Sequence, residues 1–315
     1  MNKHAYLIMA YNNFNQLGTL LQLIDDERND IFLHIDKKAN FSENDKRNLL
    51  IKIKKSNIYF TQRISVSWGG FSLLNAELEL IHTAVNNNQK YEYYHVLSGQ
   101  DLPLKSQDII HDFFEKNKGQ EFIHFGSPDY VLNCINRYKY YYFFQDLIGK
   151  LNNDIFKTIL KMLQKALLLF QKIINIDRTK NKKFKCLFKT DVIEYGAGAN
   201  WCSITHEFAQ YIDARRVGIT CAFKYTLNTD ECVIQLLALN TSFKEKIYIS
   251  KYDKTYKAVM RYVKWEDKDT NHPKVFKSND YKELISSEYL FARKFDEKID
   301  KKIIELVYQF IKGEK

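Results

Sequence analysis

Ala5-Tyr6-Leu7-Ile8-Met9-Ala10 is a short apolar run, followed by an amphipathic segment from Phe14 to Ile24 and a second run, Ile31-Phe32-Leu33-His34-Ile35. Apolar runs of this length separated by amphipathic stretches read as strand, crossover helix and parallel strand. The alternation continues with a helix over Glu43 to Lys54, a strand over Ile58 to Thr61, a helix over Leu73 to Val85 and a strand over Tyr93 to Leu97. A helix over Ile109 to Phe114 and a strand over Phe122 to Phe125 complete it. The expectation is an α/β fold with a Rossmann-like, mainly parallel sheet and helices on both faces. Ligands of such sheets bind beyond the carboxyl ends of the strands, which draws attention to Tyr11, Asp36 and Ser98 to Asp101.

No G-x-G-x-x-G or P-loop follows these strands, which argues against dinucleotide dehydrogenases and nucleoside-triphosphate hydrolases. Trp68-Gly69-Gly70-Phe71-Ser72 reads as a turn before a helix, with Ser72 as its cap, and equally as backbone brought close to a ligand. With 315 residues, 45% of them hydrophobic, and only three prolines and eleven glycines, the chain reads as one domain without a Pro/Gly linker. Its halves are 1–125 and 191–315, separated by a basic, aromatic insertion over 131–190. The net charge of +10 suits nucleic acid, an anionic membrane or phosphate-bearing substrates and does not choose among them. Five cysteines without a C-x-x-C pair suggest free thiols in a reducing compartment. No run approaches the ~18 apolar residues of a membrane span, and the N-terminus lacks a signal-peptide pattern. A cytoplasmic protein is expected, peripheral at most on the inner face of the membrane.

Within the insertion, Tyr138 to Phe144 is rich in aromatics, and a helix over Asp154 to Ile176 carries Lys157, Lys161 and Lys165 on one stripe opposite a broad apolar face. Arg178, Lys180, Lys182, Lys183, Lys185 and Lys189 then form a basic loop. Two readings are open: a solvated insertion whose helix packs on the core, or contact of residues 150–189 with an anionic lipid surface. Beyond it, Asn200 to Ile204 reads as a strand, and Thr205 caps a helix over Glu207 to Asp213. Asp230 and Glu231 fall in the first turn of a helix beginning near Thr229, where the helix dipole alone would account for them.

Several segments in order resemble the core-2/I-branching β-1,6-N-acetylglucosaminyltransferases and peptide xylosyltransferases of glycosyltransferase family 14. They are Ala5 to Tyr11, Phe32 to Lys38, Val66 to Ser72, Tyr94 to Leu104, Gly198 to Thr205, Thr229 to Glu231, Tyr262 to Trp265 and Leu290 to Asp296. The resemblance implies a GT-A fold, a UDP-sugar donor, inversion at the anomeric carbon and catalysis without a divalent metal or other cofactor. It places Glu231 as the general base, which should keep solvent or basic neighbours to stay ionised. Lys294 matches the lysine that holds the donor's phosphates; the second cation is left open among Lys274, His272 and Arg293. Trp265 matches an aromatic contact to the acceptor sugar, although a core tryptophan accounts for it equally. Asp36 falls where the family contacts uracil and ribose. Tyr11, Trp68 and Asp101 join the donor side; Asp230, expected to orient the turn, and Trp201 join the acceptor side.

A literal Asp267-Lys268-Asp269 reads as a solvated turn, because a hard cation needs several oxygens converging from a fixed frame. The family's animal members carry a signal anchor and paired cysteines, and these features are missing here. The expectation is a bacterial-type enzyme of surface polysaccharide synthesis acting on a glycan or lipid-linked glycan, with UDP-N-acetylglucosamine the first donor to test and xylose or another hexose open. Its rivals are a metal-dependent transferase using Asp101 or the 267–269 pair, and a non-catalytic glycan-binding protein on the same scaffold. A nucleic-acid binder is disfavoured, since the basic residues gather in one insertion and no recognition motif accompanies them.

Overall fold

The first apolar run forms β1 (Lys3–Ala10), whose alternating side chains divide between two cores on opposite sides of the sheet. The computed structural model describes residues 2–188, 192–252, 254–265 and 272–313. Lys189, Asn271, Asp267-Lys268-Asp269 and the side chain of Lys183 lie outside the described residues. Eight further strands follow: β2 (Asn29–Ile35), β3 (Asn57–Phe60), β4 (Tyr91–Ser98), β5 (Asp101–Pro103), β6 (Phe122–Ile123), β7 (Cys202–Thr205), β8 (Arg261–Val263) and β9 (Phe291–Arg293). The central sheet has the order β3-β2-β1-β4-β7-β6. Its first four strands are parallel, while β7 runs antiparallel to both β4 and β6.

Tyr6, Ile8 and Ala10 of β1 pack with the helices Phe14–Ile24, Gln107–Lys116 and Lys301–Lys312. Ala5 and Leu7 face the helices Phe71–Val85, His206–Ala214 and Val233–Leu239. Helices thus cover both faces, as the runs of apolar residues buried on each side require. Thr205 is the cap expected of it: its Oγ1 accepts from the Phe208 N–H at 3.3 Å.

A second sheet, β5-β9-β8, forms where the chain leaves β4. Asp101 of β5 lies opposite Arg293 of β9, and Val263 of β8 pairs with Arg293 from the other side. The sheet therefore gathers the ends of three segments distant in sequence beside the carboxyl ends of β1, β2 and β4.

Three local expectations are corrected. The helix Phe71–Val85 is capped by Gly70, not Ser72; Ser72 lies inside it, and its N–H and Oγ both donate to Asp146. That carboxylate occupies the positive end of the helix, so the Gly-Gly backbone is closed over by the protein itself. The helix over Asp154–Ile173 does not pack on the core with its apolar face: Gln164 and Gln171 turn inward to bond Phe144, Gln145 and Tyr141, and the apolar face is outside. Arg178 is no part of a solvated loop either. It is buried and donates to the carbonyls of Tyr140, Tyr225 and Ala222 and to Thr226 Oγ1, with its guanidinium over the Tyr141 ring.

Candidate active site

Three strands of the central sheet end at one cleft of about 950 Å³, within the range of small-molecule sites. Tyr11 follows β1, Asp36 follows β2, and Ser98-Gly99-Gln100 follow β4, and all line it. The rest of the lining includes Trp68, Trp201, Asp230, Glu231, Trp265, Arg293 and Lys294. Of the residues singled out in the sequence, Asp101 and Lys274 stay out of the cleft.

Glu231 sits in a 3-10 turn, Thr229–Glu231, ahead of the helix Val233–Leu239. The dipole-capping account is replaced by side-chain partners, two from a distant helix and one from the residue that precedes the turn. Arg137 Nη1 donates to Glu231 Oε2 at 2.7 Å, Tyr130 OH at 2.8 Å and Asn228 Nδ2 at 3.4 Å. One third of the side chain remains exposed, so the carboxylate has both a basic neighbour and solvent. All three bonds fall on Oε2, and among the described residues Oε1 accepts none. The turn is held from behind by Gly198, whose N–H donates to the Glu231 carbonyl at 2.8 Å. A side chain at Gly198 would collide with the carbonyl of His124. Gly69, at φ 70°, has the same function on the other flank: its carbonyl accepts from Asn228 N–H at 2.9 Å, and a Cβ would come within 2.6 Å of Asn228 Oδ1.

Asp230 is buried beside Glu231, and its carboxyl is pushed up to about 7, first by burial and then by the Glu231 charge. Behind it, Glu77 is fully buried and held well above the usual carboxylate range by burial and by Asp230.

On the side built by the second sheet, Lys294 is half-buried, and burial followed by the adjacent Arg293 charge lowers its ammonium pKa. Among the described residues its ammonium has no hydrogen-bond or ion-pair partner, and an anion in the cleft would relieve both unfavourable effects. Arg293 is already compensated: Nη1 pairs with Asp101 Oδ1 at 2.7 Å and also donates to Ser98 Oγ. Its guanidinium lies 5.0 Å from the centroid of the Trp201 ring. Asp101 is buried outside the cleft lining, and it also accepts from Ser98 N–H at 2.8 Å, so it holds the Arg293 side of the wall from behind. Lys274 pairs with Asp280 at 2.9 Å, whereas His272 lines the cleft. Lys38 and Lys254, not singled out in the sequence, line it too. Asp36 accepts from Lys38 N–H at 2.8 Å, and Trp265, half-exposed, donates its indole N–H to Tyr256 OH at 2.8 Å.

Arg137 lies inside the 131–190 stretch read as an insertion, and Tyr130 lies just before it, outside every segment that carries the family resemblance. Ser127-Pro128-Asp129 carried a helix-start signal, and a helix Pro128–Lys139 with Ser127 capping it does form. Tyr130 and Arg137, two turns apart on it, fall on one face.

A carboxylate and a lysine without a hydrogen-bond or ion-pair partner among the described residues share one aromatic-walled cleft at the carboxyl ends of parallel strands, a setting suited to group transfer from a sugar-sized, anionic substrate. The model of the family described as "Core-2/I-Branching enzyme" matches residues 4–290, so the chain belongs to that family of glycosyltransferases. Across 306 residues it is 24% identical to the N-acetyllactosaminide beta-1,6-N-acetylglucosaminyl-transferase of Homo sapiens, covering 93% of this chain and 68% of that protein. Over 313 residues it is 21% identical to Xylosyltransferase oxt of Drosophila melanogaster, covering 95% of this chain but 32% of that protein. Mouse Xyloside xylosyltransferase 1 overlaps at 8% identity with a TM-score of 0.34, over 76% of this chain and 82% of that one. No helix among the described residues is long and apolar enough to cross a membrane. Nor does any group of three or more His, Cys, Asp or Glu among them converge as metal ligands.

Proposed function

We propose that this enzyme is an inverting, metal-independent GT-A glycosyltransferase that moves a sugar from a UDP-sugar to a hydroxyl of a glycan or lipid-linked glycan. UDP-N-acetylglucosamine is the first donor to test. The observation that carries the reading is the shared cleft: Glu231, one of whose oxygens accepts no bond among the described residues, and Lys294, without a hydrogen-bond or ion-pair partner among them, open onto the same space. Glu231 takes the proton of the acceptor hydroxyl as that oxygen attacks the anomeric carbon from the face opposite the diphosphate. The bond from carbon to the phosphate oxygen breaks, and the charge that appears on the departing UDP is met by Lys294. Trp265 and Trp201 offer aromatic faces for the acceptor ring, while Asp36 and Tyr11 lie where the strand ends meet the nucleoside. The enzyme is further proposed to work in the cytoplasm, peripherally at the membrane through residues 150–189, in surface polysaccharide synthesis.

The test is UDP release and sugar transfer in EDTA across a panel of UDP-sugars, with wild type and Glu231→Gln. Wild type should turn over one donor, and the variant should fall at least ~10²-fold, the minimum contribution of a positioned general base. Retention of more than about a tenth of the rate in the variant overturns the mechanism. Activity that appears only with added manganese overturns metal independence, and sugar binding without turnover in either condition would make the chain a glycan-binding protein.

A further inference from the structure

The helix Asp154–Ile173 is mounted with its polar edge inward. Gln171 is buried and exchanges hydrogen bonds with the backbone of Tyr141, and Gln164 bonds Gln145 Oε1 at 3.2 Å. Gln145 in turn reaches the carbonyl of Trp68 on the rim of the cleft at 3.3 Å, so the helix is fixed relative to that rim. Ile155, Phe156, Ile159, Leu163, Phe170 and Ile173 point outward, with Ile155 and Ile173 each 73% exposed. An apolar face of five turns left in water, while glutamines are spent on the interior, reverses the arrangement of a helix that stabilises a core.

Charge identifies what covers it. Residues 150–188 contain ten basic and two acidic residues, which accounts for most of the chain's net charge of +10. Two copies pairing through this face would bring two such segments together, whereas an anionic surface would attract them. Lysines on the polar side and large apolar groups on the other are the composition of a helix that lies in the plane of a membrane interface. We infer that the Asp154–Ile173 helix is an in-plane anchor that inserts its outward apolar face into an anionic lipid bilayer, holding the cleft rim at the membrane. The inference deepens the membrane part of the proposed function, and it is read without any donor or acceptor.

The protein is floated with vesicles of phosphatidylcholine alone and of phosphatidylcholine with about one third phosphatidylglycerol. Wild type should rise with the anionic vesicles, weakly with the neutral ones, and less as salt is added. A Phe156→Ser, Ile159→Ser, Phe170→Ser triple variant should partition at least ~10-fold less. Lys161→Glu with Lys165→Glu should lose anionic selectivity by a similar factor. Both should melt at the wild-type temperature, because these side chains are outside the core; if the triple variant fails to fold, the lysine pair alone decides. Wild type left at the bottom of the gradient with anionic vesicles, or variants that float as it does, overturns the inference. So does a wild-type dimer in gel filtration that the triple variant abolishes, which would give the face to a second copy. A protein that floats but releases no UDP would refute the transfer reaction and leave the anchor standing.

Discussion

Glu231 is oriented by a helix that lies about a hundred residues earlier in the chain. Of its three partners, Arg137 makes an ion-paired bond at 2.7 Å, and Tyr130 donates its neutral hydroxyl to the same carboxylate oxygen at 2.8 Å. Both are bonds to a charged group, a class that contributes ~1.5–3 kcal/mol, and Arg137 adds the attraction of its own charge. Arg137→Leu should therefore lower kcat by ~100-fold, towards the high end of the range, and Tyr130→Phe by ~10-fold, at the low end. Steady-state kinetics with the active donor checks this, with donor KM nearly unchanged, because neither group lies on the Lys294 side. An unchanged kcat in both variants, or losses confined to KM, would show that the two do not orient the base. Glu231, Lys294 and Trp265 were legible from short motifs in order along the chain. Arg137 and Tyr130 were not, because nothing in their local sequence tells which carboxylate they will meet.

The parallel and antiparallel parts of the sheet meet where β4 pairs with β7, from Tyr93 opposite Thr205 to His95 opposite Ser203. Thr205 ends β7 and caps the helix His206–Ala214 while also serving a buried carboxyl: its Oγ1 donates to Glu121 Oε1 at 2.5 Å and its N–H to Oε2 at 2.9 Å. Burial pushes the Glu121 carboxyl up to about 7 despite these bonds. Thr205→Ala removes the cap, worth ~1 kcal/mol, and leaves one carboxyl oxygen unmatched, at ~1–3 kcal/mol. The expected loss is about 2–4 kcal/mol in urea unfolding, with Thr205→Ser recovering most of it. A loss below about 1 kcal/mol would show that Glu121 finds another partner. The cap itself was readable, since a threonine before an amphipathic run is a local signal. The antiparallel course of β7 against both β4 and β6 was not, because a two- to four-residue strand carries no periodicity that fixes its direction.

Across the whole molecule, buried titratable groups oppose one another. His4 stacks on His111 with ring centroids 4.0 Å apart, His95 Nε2 lies 3.1 Å from His4 Nδ1, and His111 Nε2 bonds Asn29 at 2.9 Å. Burial lowers all three imidazoles, His111 to about 4, with Arg28 adding to the effect on His111. Unfolding lets each take up a proton below its ordinary value of ~6.5, so these groups withdraw stability as pH falls from there towards 4. Glu121 and Asp230, both raised to about 7, act in the opposite sense: they hold protons when folded and withdraw stability as pH rises from ~4 to 7. His111→Gln removes one proton of uptake on unfolding. Its unfolding free energy should therefore rise with pH less steeply than wild type, by ~1.4 kcal/mol per unit between about pH 4 and 6.5. Urea titrations at several pH values across that window measure the difference, and parallel profiles would refute it. By itself the sequence determined the alternation of strands and helices, the burial on both sides of β1, β2 and β4, and the strand ends where ligands meet the sheet, because periodicity is a local property. Only the tertiary structure decided that Arg137 faces Glu231, that Asp101 neutralises Arg293 while Lys274 turns to Asp280, and that the Asp154–Ile173 helix carries its apolar face outward. Each of these depends on which distant segment occupies the neighbouring space, and packing sets that, not sequence spacing.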